Sequence, residues 1–517
     1  MNGRDIKKRS LRVPGLVFFL AALLFPGGPP PEAQEFGFGF GDETEAGTPS
    51  GGAASLPQTV KVGGEISARL LAYFNDFGTA DKAKWASLGD VFSGALNFDA
   101  SGGNIEGHIA LKISGGIIAD MTAYKPWYTP PLIDEAYLRA FFGPLVIEGG
   151  YRKLTWGKAD SMGPLDVVNP LDYSDLTGFT DLLAIKIARP MLHLSWDFGA
   201  NTRLAAVFVP LFQGHKFAAD PHDRWYPEQV ADISNMAVHE LIELIKNNPA
   251  LAPILTAISP NLPGDISSMF VLPGIPAAGL QYAQTGLRFT TTIGPADFGA
   301  QYYYGNLFRP SYRIDRLPDL ARSLLDNLPG LIAGTYSLST ASPYSPIDYN
   351  RYHQLGLDYA QVLYGFNVRA ELAAHITGDL AGDKGWVRNP FLAWSFGFDR
   401  DLVWGINANI QCSETIRLLN DKISGNPALD IEAGTEPTAT RLTVQITKKF
   451  LRDDLELKVT NIWDIETMDL YLIPSVSWNI KDLTAELSTG FFTGKAGGEL
   501  SQYYRNNFIK TSLKYSF

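Results

Sequence analysis

The feature that most constrains this chain is a period of two that begins near Gln58 and recurs, segment after segment, to the last residue. In 60–74 the even positions are Val60, Val62, Gly64, Ile66, Ala68, Leu70, Ala72 and Phe74, while the odd ones include Lys61, Glu65, Ser67 and Arg69. In 105–114 Ile105, Gly107, Ile109, Leu111 and Ile113 alternate with Glu106, His108, Lys112 and Ser114. In 366–375 Phe366, Val368, Ala370, Leu372 and Ala374 alternate with Asn367, Arg369, Glu371 and His375. Successive side chains on a strand point to opposite faces, so each segment has one apolar and one polar face. A soluble antiparallel sandwich alternates in the same way. The period establishes strands and leaves the architecture open.

The connections narrow it. Strands are expected near 58–76, 90–100, 104–115, 132–142, 145–156, 183–197, 201–210, 281–293 and 296–306. Further strands are expected near 351–363, 366–377, 388–399, 402–412, 438–449, 453–463, 468–480, 482–492 and 503–517. Pro190 in the sixth calls for a bulge or irregularity, because proline has no amide hydrogen to give a ladder. Very short turns fall at Gly143-Pro144, Gly294-Pro295, Tyr364-Gly365, Arg400-Asp401 and Lys481. Between them run long connections, including 157–182, 211–280, 307–350 and 413–437. Short periplasmic turns alternating with long external loops, and both chain ends on the short-turn side, are the pattern of an outer-membrane barrel. The expected fold is therefore all-β: a transmembrane antiparallel up-and-down β-barrel of about 18 strands over 58–517, with helical segments in its long external loops.

Aromatic placement points the same way. Phe142, Trp196, Phe198, Phe398, Trp404 and Trp478 sit on the apolar face within a few residues of a short turn, where an interfacial girdle belongs. At the end, Ile509, Thr511, Leu513, Tyr515 and Phe517 alternate with Lys510, Ser512, Lys514 and Ser516. Tyr515 and Phe517 thus resemble the terminal signal read by barrel-assembly machinery, which makes that machinery and outer-membrane lipid the expected partners.

The first residues fit export. Arg4, Lys7, Lys8, Arg9 and Arg12 precede an apolar run from Val13 to Phe25, too short for a comfortable transmembrane helix of roughly 20 residues. Residues 1–33 read as a signal peptide cleaved after Ala33, although Pro31 makes a poor −3 residue. Residues 34–57, with the FGFGFG repeat, read as a flexible periplasmic lead-in. The destination expected is the outer membrane of a two-membrane bacterium.

Composition excludes other classes. Mean hydropathy is −0.03, as expected when lipid-facing and lumen-facing residues cancel. A net charge of −11 argues against a nucleic-acid partner. Cys412 is the one cysteine, so no intrachain disulfide forms. His239-Glu240 has Glu243 where a zinc-protease helix needs histidine, and neither a G-x-S-x-G nor a P-loop occurs. No cofactor, metal or catalytic set is expected.

The middle of the chain resembles a known family. EAYLRAFFGPLVIEGGYRKLTWGKAD (135–160) with DVVNPLDYSDL (166–176), QTGLRFTTTIGPADFGAQYYYGN (284–306), YHQLGLDYAQVLYGFNVRAELAAH (352–375) and LYLIPSVSWNIKDLTAELSTGFFTG (470–494) are similar to porin-like outer-membrane barrels catalogued as a domain of unknown function. The resemblance implies a transport-related barrel, with hydrophobic compounds among the substrates to consider. Loops 211–280 and 307–350 depart from it. In the first, Val230, Ile233, Ala237, Leu241 and Leu244 form a helical stripe; in the second, Leu317, Leu320, Leu324, Leu328 and Leu331 do. These loops read as a lid or plug over the pore, or as helices that pack on each other and cap the rim.

The polar faces define the lumen. They place Glu65, Arg69, Glu106, His108, Lys112, Glu135, Arg139, Glu148, Arg152, Arg369 and Glu371 inside, as cross-strand ion pairs or as a transverse field that sorts solutes. Lys158, Asp160, Asp166, Asn169 and Asp172 are the candidates for a constriction loop folded back into the opening. A barrel of 16 to 18 strands leaves an aqueous lumen. The function expected is a channel for passive or facilitated diffusion of small solutes. The alternatives are a transporter for lipids or other hydrophobic compounds and a surface receptor or adhesin displaying long loops.

Overall fold

The computed structural model describes residues 59–76, 92–114, 130–179, 181–218, 223–227, 243–244, 246–251, 282–332, 347–426, 429–495 and 498–517. The signal (1–33), the lead-in (34–57) and most of the 228–247 stripe lie outside the described residues.

The alternating segments form β1 (Thr59–Tyr73), β2 (Phe92–Gly102), β3 (Ile105–Ser114), β4 (Ile133–Phe142), β5 (Leu145–Arg152), β6 (Arg189–Asp197), β7 (Thr202–Val209), β8 (Gln284–Ile293) and β9 (Ala296–Asn306). After the two-residue strands β10 (Ser311–Tyr312) and β11 (Ile347–Asp348) come β12 (Arg351–Leu363), β13 (Phe366–Thr377), β14 (Phe391–Asp401), β15 (Ile406–Arg417) and β16 (Thr438–Phe450). β17 (Leu455–Asp464), β18 (Asp469–Ile480), β19 (Leu483–Thr493) and β20 (Phe508–Ser516) complete the wall. All but β10 and β11, which pair only with each other, form one 18-stranded antiparallel sheet. It closes where β1 meets β20, from Glu65 opposite Ser516 to Tyr73 opposite Phe508. Gly64 and Phe517 extend that seam by exchanging backbone hydrogen bonds of 2.9 and 3.0 Å. A Cβ on Gly64 would lie 2.6 Å from the Ala95 carbonyl and 2.8 Å from the Phe517 ring, so only glycine fits there.

Burial is inverted relative to a soluble sheet. Ile66, Leu138 and Leu357 are 58, 64 and 58% exposed on the outer face, whereas Gln284, Gln354 and Glu371 are 0, 0 and 4% exposed inside. A closed sheet with an apolar exterior leaves no backbone edge unpaired, the condition for crossing hydrocarbon with strands. The chain is a transmembrane β-barrel of the bacterial outer-membrane type. Phe142, Trp196, Phe198 and Trp478 are exposed near the short-turn end, and Phe398 packs edge-on to Phe366 beside them. Polar groups on the outer face are few. Trp394 and Glu414 share it with Leu392 and Phe396, and there the indole N–H donates to the carboxylate at 2.8 Å.

Several boundaries differ from the expected ones, for local reasons. β6 begins at Arg189, because Leu182–Ile185 forms a helical turn capped by Asp181, whose carboxylate accepts the Ala184 N–H at 3.0 Å. The turn expected at Arg400-Asp401 lies at 402–405, with Trp404 at φ 62°, so the next strand runs 406–417 rather than 402–412. Trp404 therefore sits in the turn itself. Residues 501–506 form a 3-10 segment, which delays the last strand to Phe508. In the 307–350 connection a helix spans Leu317–Asp326, with Pro318 in its first turn. Leu317, Leu320 and Ala321 form its buried side.

Candidate functional site

After β5 the chain leaves the wall at Lys153 and runs through the inside of the barrel until it rejoins the wall at Arg189. One side chain clasps the two ends of this inward loop. Asn169, 2% exposed, accepts the Leu154 N–H at 2.8 Å and donates to the carbonyls of Arg152 and Ile187, both at 2.9 Å. Lys186 Nζ adds hydrogen bonds to Thr155 Oγ1 (2.6 Å) and the Leu154 carbonyl (3.2 Å) and an ion pair with Asp166 (2.7 Å). Asn169 and Lys186 are both buried and partnered, which fixes the two ends of the loop against each other.

Midway, the loop docks on the inward faces of β9, β12, β13 and β15. Glu371 accepts the backbone N–H groups of Lys158, Ala159 (2.7 Å) and Leu165 (3.2 Å). That cradle exists because Gly157 and Gly163 lack side chains: a Cβ on either would lie 2.2 or 2.5 Å from a Glu371 carboxylate oxygen. Arg369 bridges Asp160 and Asp399, each at 2.6 Å, and Asn409 donates to Asp160 at 2.9 Å. Gln301 and Gln354 donate to the carbonyls of Leu165 (2.9 Å) and Pro164 (2.7 Å), and Gln411 accepts the Ser161 N–H (3.0 Å). Burial holds the Asp160 carboxyl above the usual carboxylate range, and Arg369 pulls against that rise.

The second half of the loop reaches the opposite arc. Tyr471 on β18 donates to the Leu176 carbonyl at 2.8 Å, Lys510 on β20 to the Thr177 carbonyl at 3.2 Å, and Arg69 on β1 pairs with Asp175 at 3.3 Å. Leu176, Phe179, Leu182 and Ile185 join Leu71, Tyr73, Tyr471, Phe492 and Phe508 in one buried apolar cluster. The loop thus spans the lumen from one wall to the other.

The remaining residues singled out in the sequence lie on the inward face or in this loop. Glu148, 4% exposed, receives Arg139, Arg152 and His193, whose Nδ1 lies 2.6 Å away. Arg139 is also 3.5 Å from Glu106. The Tyr137 ring lies against both arginines and beside His108, which pairs with Asp99 at 2.7 Å. Glu135 accepts the Lys153 N–H at 2.7 Å, where the chain turns inward. Lys112 pairs with Asp134 at 3.3 Å, and Glu65 with Lys514 at 3.4 Å. Asp172 accepts the Ser174 N–H at 2.9 Å and pairs with Lys216 at 3.2 Å. Lys158 contributes its backbone N–H to the Glu371 cradle.

Exposure divides this set. Glu148 and Glu371 are locked in buried networks, whereas the side chains of Glu106, Lys112, Lys514 and Glu65 are 48, 49, 45 and 42% exposed. The inward-facing side chains left exposed thus lie along the β20–β4 arc, while the first half of the loop is seated against β9 and β12–β15.

A further group of charges lies at the long-loop end of the wall, where strand alternation does not pick it out. Arg309 pairs with Glu499, Arg441 with Asp464 (2.6 Å) and Glu499 (3.4 Å), and Arg417 with Glu432 (2.8 Å); Arg388 lies beside them. Arg309, Arg388, Glu432 and Glu499 come from connections, where no period marks which side chains turn inward. Next to them, burial and Arg309 push the His215 imidazole down to about 3, so it stays neutral and its Nδ1 accepts the Leu171 N–H at 2.9 Å.

No protein-family model matches the chain, and no curated protein matches it in sequence. Among solved structures it is similar to Wzi, a carbohydrate-binding outer-membrane barrel involved in capsule assembly in Escherichia coli, at 10% identity and a TM-score of 0.41, covering 88% of this chain and 84% of that one. It is also similar to the outer-membrane channel DcaP of Acinetobacter baumannii, at 11% identity and a TM-score of 0.37, covering 89% and 97%. OpdK of Pseudomonas aeruginosa, solved with vanillate, aligns at 7% identity and a TM-score of 0.44, covering 89% and 98%. The barrel assignment stands on the strand pairing of this chain.

Proposed function

We propose that this chain is an outer-membrane channel through which small solutes diffuse past the inward loop. The observation that carries this reading is the seating of residues 153–179 and 181–188 inside a closed barrel, on side chains that point inward from both arcs. Display of external loops requires only a sealed scaffold. A loop built into the lumen beside water-exposed lysines and glutamates narrows a passage and sets what it admits.

Single-channel recording of the purified protein in planar bilayers tests the reading. Wild type should give discrete steps. Replacing 157–181 with a short Gly-Ser linker should raise the conductance several-fold, once heat-modifiable migration shows the variant folded. Folded protein that conducts neither with nor without the loop would favour the receptor reading.

A further inference from the structure

One permanent charge inside the barrel is sealed off without a counter-charge. Arg189, where β6 begins, is 1% exposed. Its Nη1 donates to the Gln213 carbonyl at 3.0 Å. Its Nη2 is buried and meets no acceptor among the described residues, and none of their carboxylates pairs with the guanidinium. The carboxylates of the adjoining elements are already engaged. Glu148 takes Arg139 and Arg152, Asp166 takes Lys186, and Asp172 takes Lys216. The residue opposite Arg189 in the β5–β6 ladder is Arg152, so the cross-strand neighbour carries the same sign.

Other buried polar atoms nearby differ from Arg189 in kind. Gln284, 0% exposed, accepts the Tyr303 hydroxyl at 3.1 Å and the Asn306 N–H at 3.3 Å through Oε1. Its Nε2 and the Asn306 Oδ1 have no partner. They are a donor and an acceptor on neighbouring residues, which a neutral water serves as well as any ion. Water does not serve Arg189 in the same way. A guanidinium keeps its proton across the physiological range, so a neutral acceptor completes its hydrogen bonds and leaves its charge uncompensated. Enclosure limits the size of what can compensate it. Val209, Phe212 and Tyr303 around this part of the wall are 0, 1 and 0% exposed, and Met191, the next inward residue along β6, packs with Val209 and Tyr303. An organic solute would have to displace these side chains, whereas a halide needs the least room of any anion.

We propose that Arg189 Nη2 binds a small inorganic monoanion, chloride being the ordinary case, at the point where the inward loop rejoins the wall. The ion neutralises the start of β6 and steadies that junction, whether or not the barrel conducts.

The test uses full-length protein in detergent, dialysed into sodium gluconate, whose anion is too large for the enclosure. Sodium chloride or bromide then replaces gluconate at constant ionic strength. The wild-type midpoint of heat-modifiable migration should rise saturably, by roughly 2 °C or more, because a ligand that binds only the folded state stabilises it. Arg189→Met, which keeps most of the side-chain length and removes the charge, should show no such rise. An equal rise in Arg189→Met would overturn the proposal, and so would a wild type that does not respond, since Nη2 would then be served by water. If Arg189→Met does not fold, wild-type crystals grown in sodium bromide decide the matter. Anomalous bromide density in contact with Arg189 Nη2 is the expected result, and its absence would overturn the site.

Discussion

Asn169 satisfies three backbone groups at once. Asn169→Ala would leave the Leu154 N–H and the Arg152 and Ile187 carbonyls unpaired where water is excluded. The expected loss is about 2–4 kcal/mol, read as a lower midpoint in heat-modifiable migration together with a noisier open-channel current. Asn169→Asp should not rescue it, because a carboxylate would face two carbonyls. A melting midpoint equal to wild type would show that the clasp does not hold the loop. At this scale the sequence was only partly legible. Alternation marked Arg139, Glu148, Arg369 and Glu371 as inward-facing, but it could not show that Glu371 would be filled by backbone N–H groups rather than by a cation. Asn169 and Asp160 stood out as candidates for a constriction loop, but nothing in a connection without a period named their partners. Arg388 did not stand out at all.

Strands were the most legible elements, because one apolar face against lipid and one polar face against water impose the period on every crossing. Errors gathered where a cap or a turn ended the pattern. Asp181 started a helical turn within an expected strand, and the segment after Asp401 took an extra turn that moved the next strand along. The seam is the element on which closure depends. Deleting Phe517 removes its paired hydrogen bonds with Gly64 and an outward ring stacked with Tyr515. Folded, heat-modifiable protein in the outer membrane should fall while export continues. Phe517→Ala, which keeps the backbone pair, should lose less. Unchanged folded protein in the deletion would remove Phe517 from the assembly signal.

For the whole molecule, orientation follows from where the short turns lie. Epitopes inserted at 143–144, 294–295 or 402–405 should be protected in intact cells, and epitopes near 250, 330 or 425 should be labelled from outside. Labelling of the short-turn sites would invert the molecule. The inward loop carries a consequence of another kind, in the order of events during synthesis. It is made early, yet its partners come late: Glu371, Tyr471 and Lys510 follow their loop contacts by 213, 295 and 333 residues. Contacts so distant along the chain form slowly and leave their groups unpaired in the meantime. Because Lys510 lies on the strand that shuts the barrel, the loop reaches its last anchor only as the cylinder closes. A cylinder that closed first and was obstructed later would pass through a leaking stage, and these late anchors make closure and obstruction a single step.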